Sequence, residues 1–410
     1  MTDFFPRHEV PDAFDFQPRT RLVYGAGTFS RLGELARELG AQRVLIVTDP
    51  GLRQAGHGDR AVQSVEAAGL SVTVYDDVSQ NPTTDDVDRC VEFAKPRNID
   101  LLVGLGGGSS MDCAKGANFI LTNGGRIQDY RGVGKAKQPM LPMIAVPTTS
   151  GTGSEAQSFA VIADAKTHLK MACGDPGAAC RIAILDPELT VTMPHAVAAA
   201  TGIDAMTHAI ESYVTLKRNV VSQMYAREAW TLLAKAFPIV LKQPENLEAR
   251  GQMQLGAFLA GAAIECSMLG AAHAAANPLT AQFGTIHGIA VGLMMPHIIR
   301  WNTPVVADLY HELAVAAGWC TMSSDHQSSA EVLARGFTEF LRKADLPVSI
   351  AQTVDQPVDD TLINGLARDA VQQWTGTFNP RKMDAAAFAT LYRSAIVFND
   401  SLQNGWKPAV

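Results

Sequence analysis

The first half of the chain alternates short apolar runs with segments whose apolar residues recur at helical spacing. RLVYG (21–25), RVLIVTD (43–49) and SVTVYDDV (71–78) predict strands, because they are short, apolar and rich in β-branched residues. RLGELARELG (31–40) and AVQSVEAAG (61–69) predict amphipathic helices between them. Alternation of this kind predicts a parallel sheet with helices on its faces.

The alternation continues through two segments in which a strand runs into a turn. These segments are IDLLVGLGGGSS (99–110) and PMIAVPTTSGTGSE (142–155). TTDDVDRCVEFAKPRN (83–98) predicts a helix before the first of them, with Thr84 as its N-cap, and MDCAKGANFILTNGG (111–125) predicts a helix after it. The sheet is therefore expected to extend to at least five strands.

Beyond Pro194 the strand pattern largely disappears and long helical stretches replace it. Predicted helices cover 195–215, 222–242, 247–276, 288–302, 305–319, 328–344, 359–373 and 384–402. We therefore expect two tightly packed domains. Residues 1–190 would form an α/β domain with a parallel sheet, and residues 191–410 an all-α domain.

Composition narrows the class of protein. The 410 residues suffice for two or three domains, and 47% apolar and 18% charged residues are ordinary for a soluble enzyme. A net charge of −7 without a basic run argues against a nucleic-acid surface. The N-terminus, MTDFFPRHEVPDAFDF, lacks the apolar core of a signal peptide, and no apolar run has the length of a membrane span. Six cysteines without a C-x-x-C pair are typical of reduced thiols, so we expect a cytoplasmic protein.

The glycine turn GLGGGSSMDCAKG (104–116) follows a predicted strand and opens a predicted helix. Gly106, Gly107 and Gly108 allow a ligand to approach the backbone, and free N–H groups at a helix start bind anions. Ser109 or Ser110 is expected to cap this helix, with Asp112 in its first turn. An ordinary strand–helix turn explains this segment equally well.

A second turn, PTTSGTGSE (147–155), carries several hydroxyl side chains, among them Thr148, Thr149 and Ser154, together with two glycines. Two such turns at the carboxyl ends of parallel strands would flank one crevice, where open α/β sheets bind ligands. Together the two turns favour a ligand that carries phosphate.

Asp49 ends a predicted buried strand. A carboxylate at that place can bind the hydroxyls of an adenosine ribose and would repel a 2′-phosphate. A turn-forming Asp before Pro50 is at least as good an interpretation of this residue alone. Because Asp49 precedes the glycines by more than fifty residues, the common Rossmann fingerprint does not apply.

Asp204 and His208, in TGIDAMTHAIESYV (201–214), lie four residues apart in a predicted helix and so share one face. His273 and His287 are the further candidates for a metal site, and His297 is a possible substitute for one of them. One carboxylate and three imidazoles suit Fe²⁺, Zn²⁺, Co²⁺ or Mn²⁺. For any single histidine, a satisfied position in the core is the alternative.

From YGAGTFSRLGELARELG to the C-terminal helices, the chain resembles the iron-containing (group III) alcohol dehydrogenase family. GGGSSMDCAKG and PTTSGTGSE resemble the cofactor-binding stretches of that family, and GIDAMTHAIESYV, AAH and IHGIAVGLMMPH resemble its metal-binding stretches. The resemblance implies that the domain of residues 1–190 is Rossmann-like and dinucleotide-binding, with NAD as its cofactor, and that the domain of residues 191–410 is metal-binding. It implies a divalent metal, Fe²⁺ ahead of Zn²⁺, in the cleft between the two domains. It implies the metal ligands Asp204, His208, His273 and His287. It implies the NAD-binding residues Asp49, Gly106, Gly107, Gly108, Ser109, Asp112, Thr148, Thr149, Ser154 and Lys170.

Asn277 departs from the family pattern, because family members commonly carry a histidine four residues after the third ligand. Asparagine forms hydrogen bonds but does not titrate near neutral pH. If that histidine relays the proton of the alcohol, the relay here must use water, a ribose hydroxyl or another group. Asn277 is therefore retained only as the candidate catalytic residue at this place.

The resemblance implies a metal- and NAD-dependent alcohol dehydrogenase or aldehyde reductase that transfers a hydride between nicotinamide and a small alcohol/aldehyde pair. A homodimer or larger homo-oligomer, formed through the strand in RTRLVYG (19–25), is expected. A glycerol dehydrogenase- or dehydroquinate synthase-like enzyme, or a non-catalytic nucleotide-binding homologue, is the alternative. Pocket candidates are Gln157, Ser158, Phe159, Ile264 and Met268.

Overall fold

A computed structural model describes residues 13–167 and 169–397. The first twelve residues of the N-terminal stretch lie outside the described residues, as do His168 and the end of the helix predicted at 384–402. In the described part, nine strands form one large and one small sheet. They are β1 (Arg21–Tyr24), β2 (Arg43–Val47), β3 (Ser71–Tyr75), β4 (Leu101–Gly106), β5 (Gly132–Val133), β6 (Met143–Pro147), β7 (Phe159–Ala163), β8 (Lys170–Gly174) and β9 (Ile182–Leu185).

The large sheet has six strands in the order β1-β9-β6-β4-β2-β3, and every neighbouring pair is parallel. This confirms the predicted parallel sheet. The small sheet has the order β5-β8-β7 and contains an antiparallel hairpin, in which Phe159 lies opposite Gly174 and Ala163 opposite Lys170. The sequence pattern does not predict this hairpin, since its short strands contain alanine and glycine, which are depleted in strands.

The described residues also form thirteen α-helices. Those that accompany the large sheet are α1 (Leu32–Glu38), α2 (Pro50–Gln54), α3 (His57–Ala67), α4 (Thr84–Ala94) and α5 (Gly108–Asn123). The helices of the second half are α6 (His195–Val214), α7 (Val220–Lys242), α8 (Leu247–Cys266), α9 (Ala271–Phe283), α10 (His287–Ala316), α11 (His326–Lys343), α12 (Asp360–Val371) and α13 (Ala385–Ala395).

Helices cover both faces of the large sheet. Val44 and Ile46 of β2 pack into the core shared with α1 and α3, whereas Leu45 and Val47 pack into the core shared with α4 and α5. Successive side chains of a strand point to opposite faces, so a strand buried on both sides must be apolar throughout. RVLIV meets this requirement, and its four apolar residues are fully buried.

The N-cap of α4 corrects one prediction. Thr83, rather than Thr84, is the cap residue, and Asp86 accepts hydrogen bonds from both the backbone N–H and the hydroxyl of Thr83. Either threonine has the chemistry of a cap, but only Thr83 has an acid three residues later that completes a capping box.

The change from strands to helices falls between Leu185, where β9 ends, and His195, where α6 begins. The predicted division at about residue 190 lies in this interval, and its status as a domain boundary stays a prediction. The eight helices from α6 to α13 enclose their own core, in which Trp230, Phe237 and Tyr310 are among the largest buried side chains.

The single helix predicted at 247–276 is wrong, because the chain bends by 106° between α8 and α9. Ser267 and Gly270 have non-helical backbone angles at the two ends of this break. The apolar pattern continues across the break because both helices are buried, and periodicity alone does not report a bend. In the described part of the chain no single helix is long and apolar enough to cross a membrane, although α8 and α9 together have the necessary length and composition.

Close contacts join the sheet to the helical half at the turn after β6. Gly153 has φ +62, and a Cβ atom there would lie 2.6 Å from the Cα of Gly261 on α8. Gln254 of α8 donates a hydrogen bond of 2.9 Å to the carbonyl of Pro147. The turn therefore rests directly on α8, and only glycine fits at the crossing.

Candidate metal centre and nucleotide crevice

The carboxyl ends of β2, β4 and β6 form one edge of the large sheet. Val47 lies opposite Gly104, and Gly106 lies opposite Pro147. The chain passes from β2 to β3 on one side and then to β4 on the other, so β2 and β4 flank a topological switch point. Ligands of open α/β sheets bind outside the carboxyl ends of the strands at such a point.

The first glycine turn lies at this switch point and leaves its backbone accessible. Gly106 has φ +149, and a Cβ atom there would lie 2.4 Å from the Oγ of Ser110. A Cβ atom on Gly108 would lie 2.7 Å from the side chain of Thr152. Gly107 is the N-cap of α5 and provides no side-chain cap. The N–H groups at the start of α5 are thus available to an anion.

Two expectations about this turn are wrong. Neither Ser109 nor Ser110 caps α5, and the Ser109 Oγ instead accepts a hydrogen bond from Asn81 N at 3.2 Å. Asp112 lies beyond the first turn of α5, because the helix begins earlier, at Gly108. The three glycines permit this earlier start without a side-chain cap.

Asp112 and Ser154 join the two turns. Asp112 Oδ1 accepts a hydrogen bond of 2.7 Å from Ser154 Oγ. Burial raises the pKa of Asp112 to about 6, even though Lys115 and the Ser154 hydroxyl oppose the shift. The buried Lys115 ammonium donates to Ser154 O and Oγ at 2.6 and 3.0 Å, and also to the carbonyls of Gln157 and Phe159. Ser154 therefore serves to hold the turns together.

Thr148 and Thr149 lie beside the first turn. Thr148 N donates a hydrogen bond of 3.0 Å to the carbonyl of Gly106. The side chain of Thr149 would be 3.4 Å from a Cβ atom on Gly107. The structure thus brings the two predicted cradle segments together, while their contact with phosphate stays a prediction.

Asp49 lies at the same edge and caps α2. Its Oδ1 accepts a hydrogen bond of 3.1 Å from Leu52 N, as a turn-forming aspartate would. The side chain of Leu52 lies 3.1 Å from the position of a Cβ atom on Gly106, which places the first turn of α2 against the first glycine turn. Asp49 is partly exposed there, so capping and ribose binding are compatible.

Four predicted metal ligands converge in the helical half. Asp204 and His208 lie on α6, His273 lies on α9, and His287 is the first residue of α10. The Nε2 atoms of His208, His273 and His287 lie 3.4, 3.5 and 3.9 Å from Asp204 Oδ1. His297 is elsewhere, with its Nδ1 3.0 Å from Ser394 Oγ.

These distances suit a shared cation. Ligand atoms about 2.1 Å from one tetrahedral ion lie about 3.4 Å from each other. Asp204, His208 and His273 each offer a ligand atom within 4.8 Å of the others. Asp204 Oδ1 and His273 Nε2 are buried without a hydrogen-bond partner, a costly condition that a bound cation would relieve. The residues therefore fit a divalent metal, and their role as ligands stays a prediction.

The electrostatics of the cluster favour added positive charge. Burial lowers the pKa of His208 and, together with Lys170, that of His287. Burial alone would raise the pKa of Asp204, but the three histidines hold it below its usual range. Burial also lowers the pKa of His273, but the nearby carboxylates of Asp204 and Glu211, the second of them hydrogen-bonded to the ring, outweigh burial and raise it to about 9. A divalent cation would supply more positive charge to these buried carboxylates than one proton does.

Lys170 is the first residue of β8, in the small sheet. Burial lowers its pKa, while the charges of Asp204 and Asp112 oppose the shift. Lys170 thus interacts electrostatically with carboxylates from both halves of the chain, and its contact with a cofactor ribose stays a prediction.

Asn277 lies one helical turn after His273 and is already engaged. Its Nδ2 donates a hydrogen bond of 3.0 Å to Gln373 Oε1.

Trp374, which follows Gln373 along the chain, has its ring centroid 6.3 Å from that of Phe159 on β7. An aromatic pair thus bridges the two halves. Of the other pocket candidates, Ser158 is buried and donates both its N–H and its hydroxyl to Glu265.

Sequence reasoning missed several residues that shape the site. Glu211 binds His273, Lys115 joins the two turns, and Gln373 binds Asn277. The spacing in the sequence could have identified Glu211, since it lies three residues after His208 and seven after Asp204, on the same helix face. No sequence pattern could have identified Gln373, because its contact with α9 depends on the packing of a distant segment.

Two family models match consecutive parts of the chain. The family model described as "Iron-containing alcohol dehydrogenase" matches residues 18–187, and "Fe-containing alcohol dehydrogenase family, C-terminal" matches residues 198–396. The chain is 32% identical to the NAD-dependent methanol dehydrogenase of Bacillus methanolicus, over 97% of this chain and 100% of that protein.

Two solved structures extend the comparison. A 1,3-propanediol oxidoreductase superposes with a TM-score of 0.90 at 30% identity, covering 94% of this chain and 100% of that one. The sulfoacetaldehyde reductase of Bifidobacterium kashiwanohense, solved with NAD⁺, has a TM-score of 0.85 at 27% identity, covering 95% of this chain and 100% of that one.

Proposed function

The chain belongs to the iron-containing alcohol dehydrogenase family and is a metal- and NAD-dependent alcohol dehydrogenase; we propose that its chemistry takes place beside Asp204, His208, His273 and His287. One observation carries this proposal. Three imidazole Nε2 atoms, from three helices, lie 3.4, 3.5 and 3.9 Å from one buried carboxylate oxygen. If these were three unrelated histidines of the core, each ring would be expected to hydrogen-bond to a different side chain or carbonyl.

These four side chains would hold the metal. A bound divalent metal supplies Lewis acidity, which favours an alkoxide over an alcohol and polarises a carbonyl in the reverse reaction. Three nitrogens and one carboxylate suit Fe²⁺ and Zn²⁺, and we propose Fe²⁺. His287 is the most exposed of the four, with a quarter of its side chain accessible, so substrate would approach from its side.

NAD would lie across the switch point. The N–H groups at the start of α5 would bind its pyrophosphate, and Thr148 and Thr149 would line the opposite wall. Asp49 would bind the adenosine ribose. Lys170 would reach the ribose next to the nicotinamide, since its charge interacts with Asp112 of the sheet half and with Asp204 of the helical half. The nicotinamide ring would then lie beside the metal cluster.

The protein orients the reactants and limits access of water. Phe159 and Trp374 form the bridge between the halves and would restrict the cleft to short substrates. Methanol and 1,3-propanediol, in the names of two similar proteins, are short primary alcohols. We therefore place short primary alcohols and their aldehydes first among the substrates. Asn277 cannot titrate and directs its amide to Gln373, so the alcohol proton would leave through a ribose hydroxyl or water.

We also propose a cytoplasmic homodimer. β1 is an edge strand of the large sheet, and its Tyr24 is 45% exposed. An unpaired edge offers backbone groups to a second copy of the same strand. All six cysteines are free thiols, which supports a reducing compartment.

Metal removal tests the proposed function. The protein is stripped with a chelator, and NADH formation from methanol, ethanol and 1,3-propanediol is followed by absorbance. We expect turnover to fall on the order of 10³-fold, because Lewis-acid stabilisation is worth several kcal/mol. Binding of NADH, measured by fluorescence, should change less than about 2-fold, since the glycine turns contribute no ligand to the cluster.

Restoration provides the control. One equivalent of Fe²⁺ or Zn²⁺ should return activity to the stripped wild-type protein, and Asp204→Ala should bind neither. Full activity in protein shown by elemental analysis to be free of metal would refute the proposal.

A further inference from the structure

The Glu211 side chain lies buried between α6 and α9, and its carboxylate accepts two short hydrogen bonds from α9. His273 Nδ1 is 2.6 Å from Oε2, and Ala272 N is 2.6 Å from Oε1. We propose that Glu211 is a positioning residue that sets the tautomer and orientation of His273 and thereby the affinity of the cluster for metal. The inference rests on the proposed metal site.

The hydrogen bond determines which ring nitrogen is free. A carboxylate can only accept, so His273 Nδ1 must donate its proton to Glu211. In the neutral ring the lone pair then belongs to Nε2, the atom that lies 3.5 Å from Asp204 Oδ1. Metal-binding histidines commonly donate their second nitrogen to a carboxylate, which fixes the ring and makes the other nitrogen a better ligand.

Glu211 also caps the N-terminus of α9, the helix that carries His273. Gly270 is the N-cap of α9 and has no side chain to cap it. The Glu211 carboxylate, from another helix, accepts from Ala272 N in place of a local cap. Negative charge at a helix N-terminus is favourable, and a hydrogen-bond acceptor there stabilises the first turn. One side chain therefore fixes both the ring and the backbone beneath it.

The geometry leaves little room for adjustment. A Cβ atom on Gly270 would lie 2.9 Å from Glu211 Oε1 and 3.3 Å from Asn379 Oδ1. Glu211 is only 2% exposed and follows Asp204 by seven residues, two turns along α6. A single helix thus supplies two proposed ligands and the support of a third.

Glu211→Gln is the informative substitution, because glutamine keeps the size of the side chain but has one acceptor and one donor. If its oxygen faces His273, its NH₂ group opposes Ala272 N–H. If its oxygen faces Ala272, its NH₂ group moves the His273 proton to Nε2 and blocks the ligand atom. We therefore expect a Zn²⁺ Kd about 10–100-fold higher than in the wild type, measured by chelator competition on the full-length zinc-loaded protein.

A second readout separates positioning from stability. Co²⁺ in the stripped protein gives visible absorption bands that report the ligand geometry, and these should shift in Glu211→Gln. The matched control is Glu312→Gln. Glu312, on α10, accepts a hydrogen bond from Tyr213 of α6 but touches none of the four proposed ligands. The Glu312→Gln variant should have a lower melting temperature but an unchanged Zn²⁺ Kd and unchanged Co²⁺ bands.

Gly270→Ala gives an independent test if Glu211→Gln fails to fold. Its new methyl group would displace the carboxylate, so the Zn²⁺ Kd should rise several-fold and the Co²⁺ bands should shift in the same direction. A Kd within 2-fold of wild type and unchanged Co²⁺ bands, in Glu211→Gln or else in Gly270→Ala, would overturn the inference. Failure of the stripped wild-type protein to bind Zn²⁺ or Co²⁺ would instead refute the metal site itself.

Discussion

The nucleotide crevice and the metal cluster of this enzyme are built in opposite ways. The crevice is made largely of backbone, and its glycines are needed for the space that a side chain would fill, as at Gly106 and Gly108. The cluster is made of side chains, with Asp204, His208 and His273 buried on helices. A backbone site is therefore broken by adding atoms, and a side-chain site by removing them or turning them.

The two regions also differ in how they are held. Hydrogen bonds from Lys115 and Ser154 join the two glycine turns to each other. The cluster is fixed by the helices themselves and by Glu211. Metal removal should therefore spare nucleotide binding, and damage to the crevice should spare metal binding.

Gly106→Ala should have the largest effect on the crevice. Its φ of +149 strains alanine, and the new Cβ atom would lie 2.4 Å from Ser110 Oγ. We expect kcat/KM for NAD to fall on the order of 100-fold, because displacement of the turn by about 1 Å misplaces the cofactor. Steady-state kinetics and NADH fluorescence measure the loss, and elemental analysis should show an unchanged metal content.

Gly69→Ala is the matched control for Gly106→Ala. It has φ +78 but no atom within 4 Å of the new Cβ, and it precedes β3 at the opposite edge of the sheet. It should cost about 1 kcal/mol of stability through backbone strain and leave nucleotide kinetics unchanged. Equal nucleotide defects in the two variants would argue that strain, and not the shape of the turn, weakens binding.

Asp49→Ala should have an intermediate effect, on the choice of cofactor. Without the carboxylate, NAD loses a ribose partner and NADP no longer meets a negative charge. We expect the ratio of kcat/KM for NAD over NADP to fall about 10-fold, equivalent to about 1.4 kcal/mol. Parallel assays with both cofactors measure this ratio.

Asp359→Ala is the control that removes only a helix cap. Asp359 accepts from Leu362 N at 2.9 Å, as Asp49 accepts from Leu52 N at 3.1 Å. Both variants should lose about 1 kcal/mol of stability. An unchanged cofactor ratio in Asp49→Ala would reduce this residue to its role as a cap.

Asn277→His should have the smallest effect and bears on the boundary between the two regions. A histidine with an ordinary pKa of about 6.5 would add a titrating group one turn from His273. Alcohol oxidation needs a proton acceptor, so kcat/KM in the variant should decline below about pH 6.5, within a few-fold of wild type at higher pH. The wild-type profile should lack this inflection, and identical profiles would contradict the prediction.

Local pattern was a good guide to elements and a poor guide to their ends. The parallel sheet followed from apolar runs such as RVLIV, which must be buried on both faces. The bend at Ser267 and Gly270 did not follow, since α8 and α9 are both buried and share one apolar pattern. The same limit applies to α5, whose early start at Gly108 moved Asp112 out of the first turn.

The sequence by itself determined five of the six strands of the large sheet, the two glycine-containing turns and the acid–histidine pair of α6, because each depends on neighbours within a few residues. Only the tertiary structure decided that Asp49 and Gly106 share one crevice, since parallel strands distant in sequence become adjacent in the sheet. Only it showed His273 and His287 beside Asp204, with Glu211 behind His273. Those contacts depend on how helices cross, and the crossing is set by the packing of whole faces.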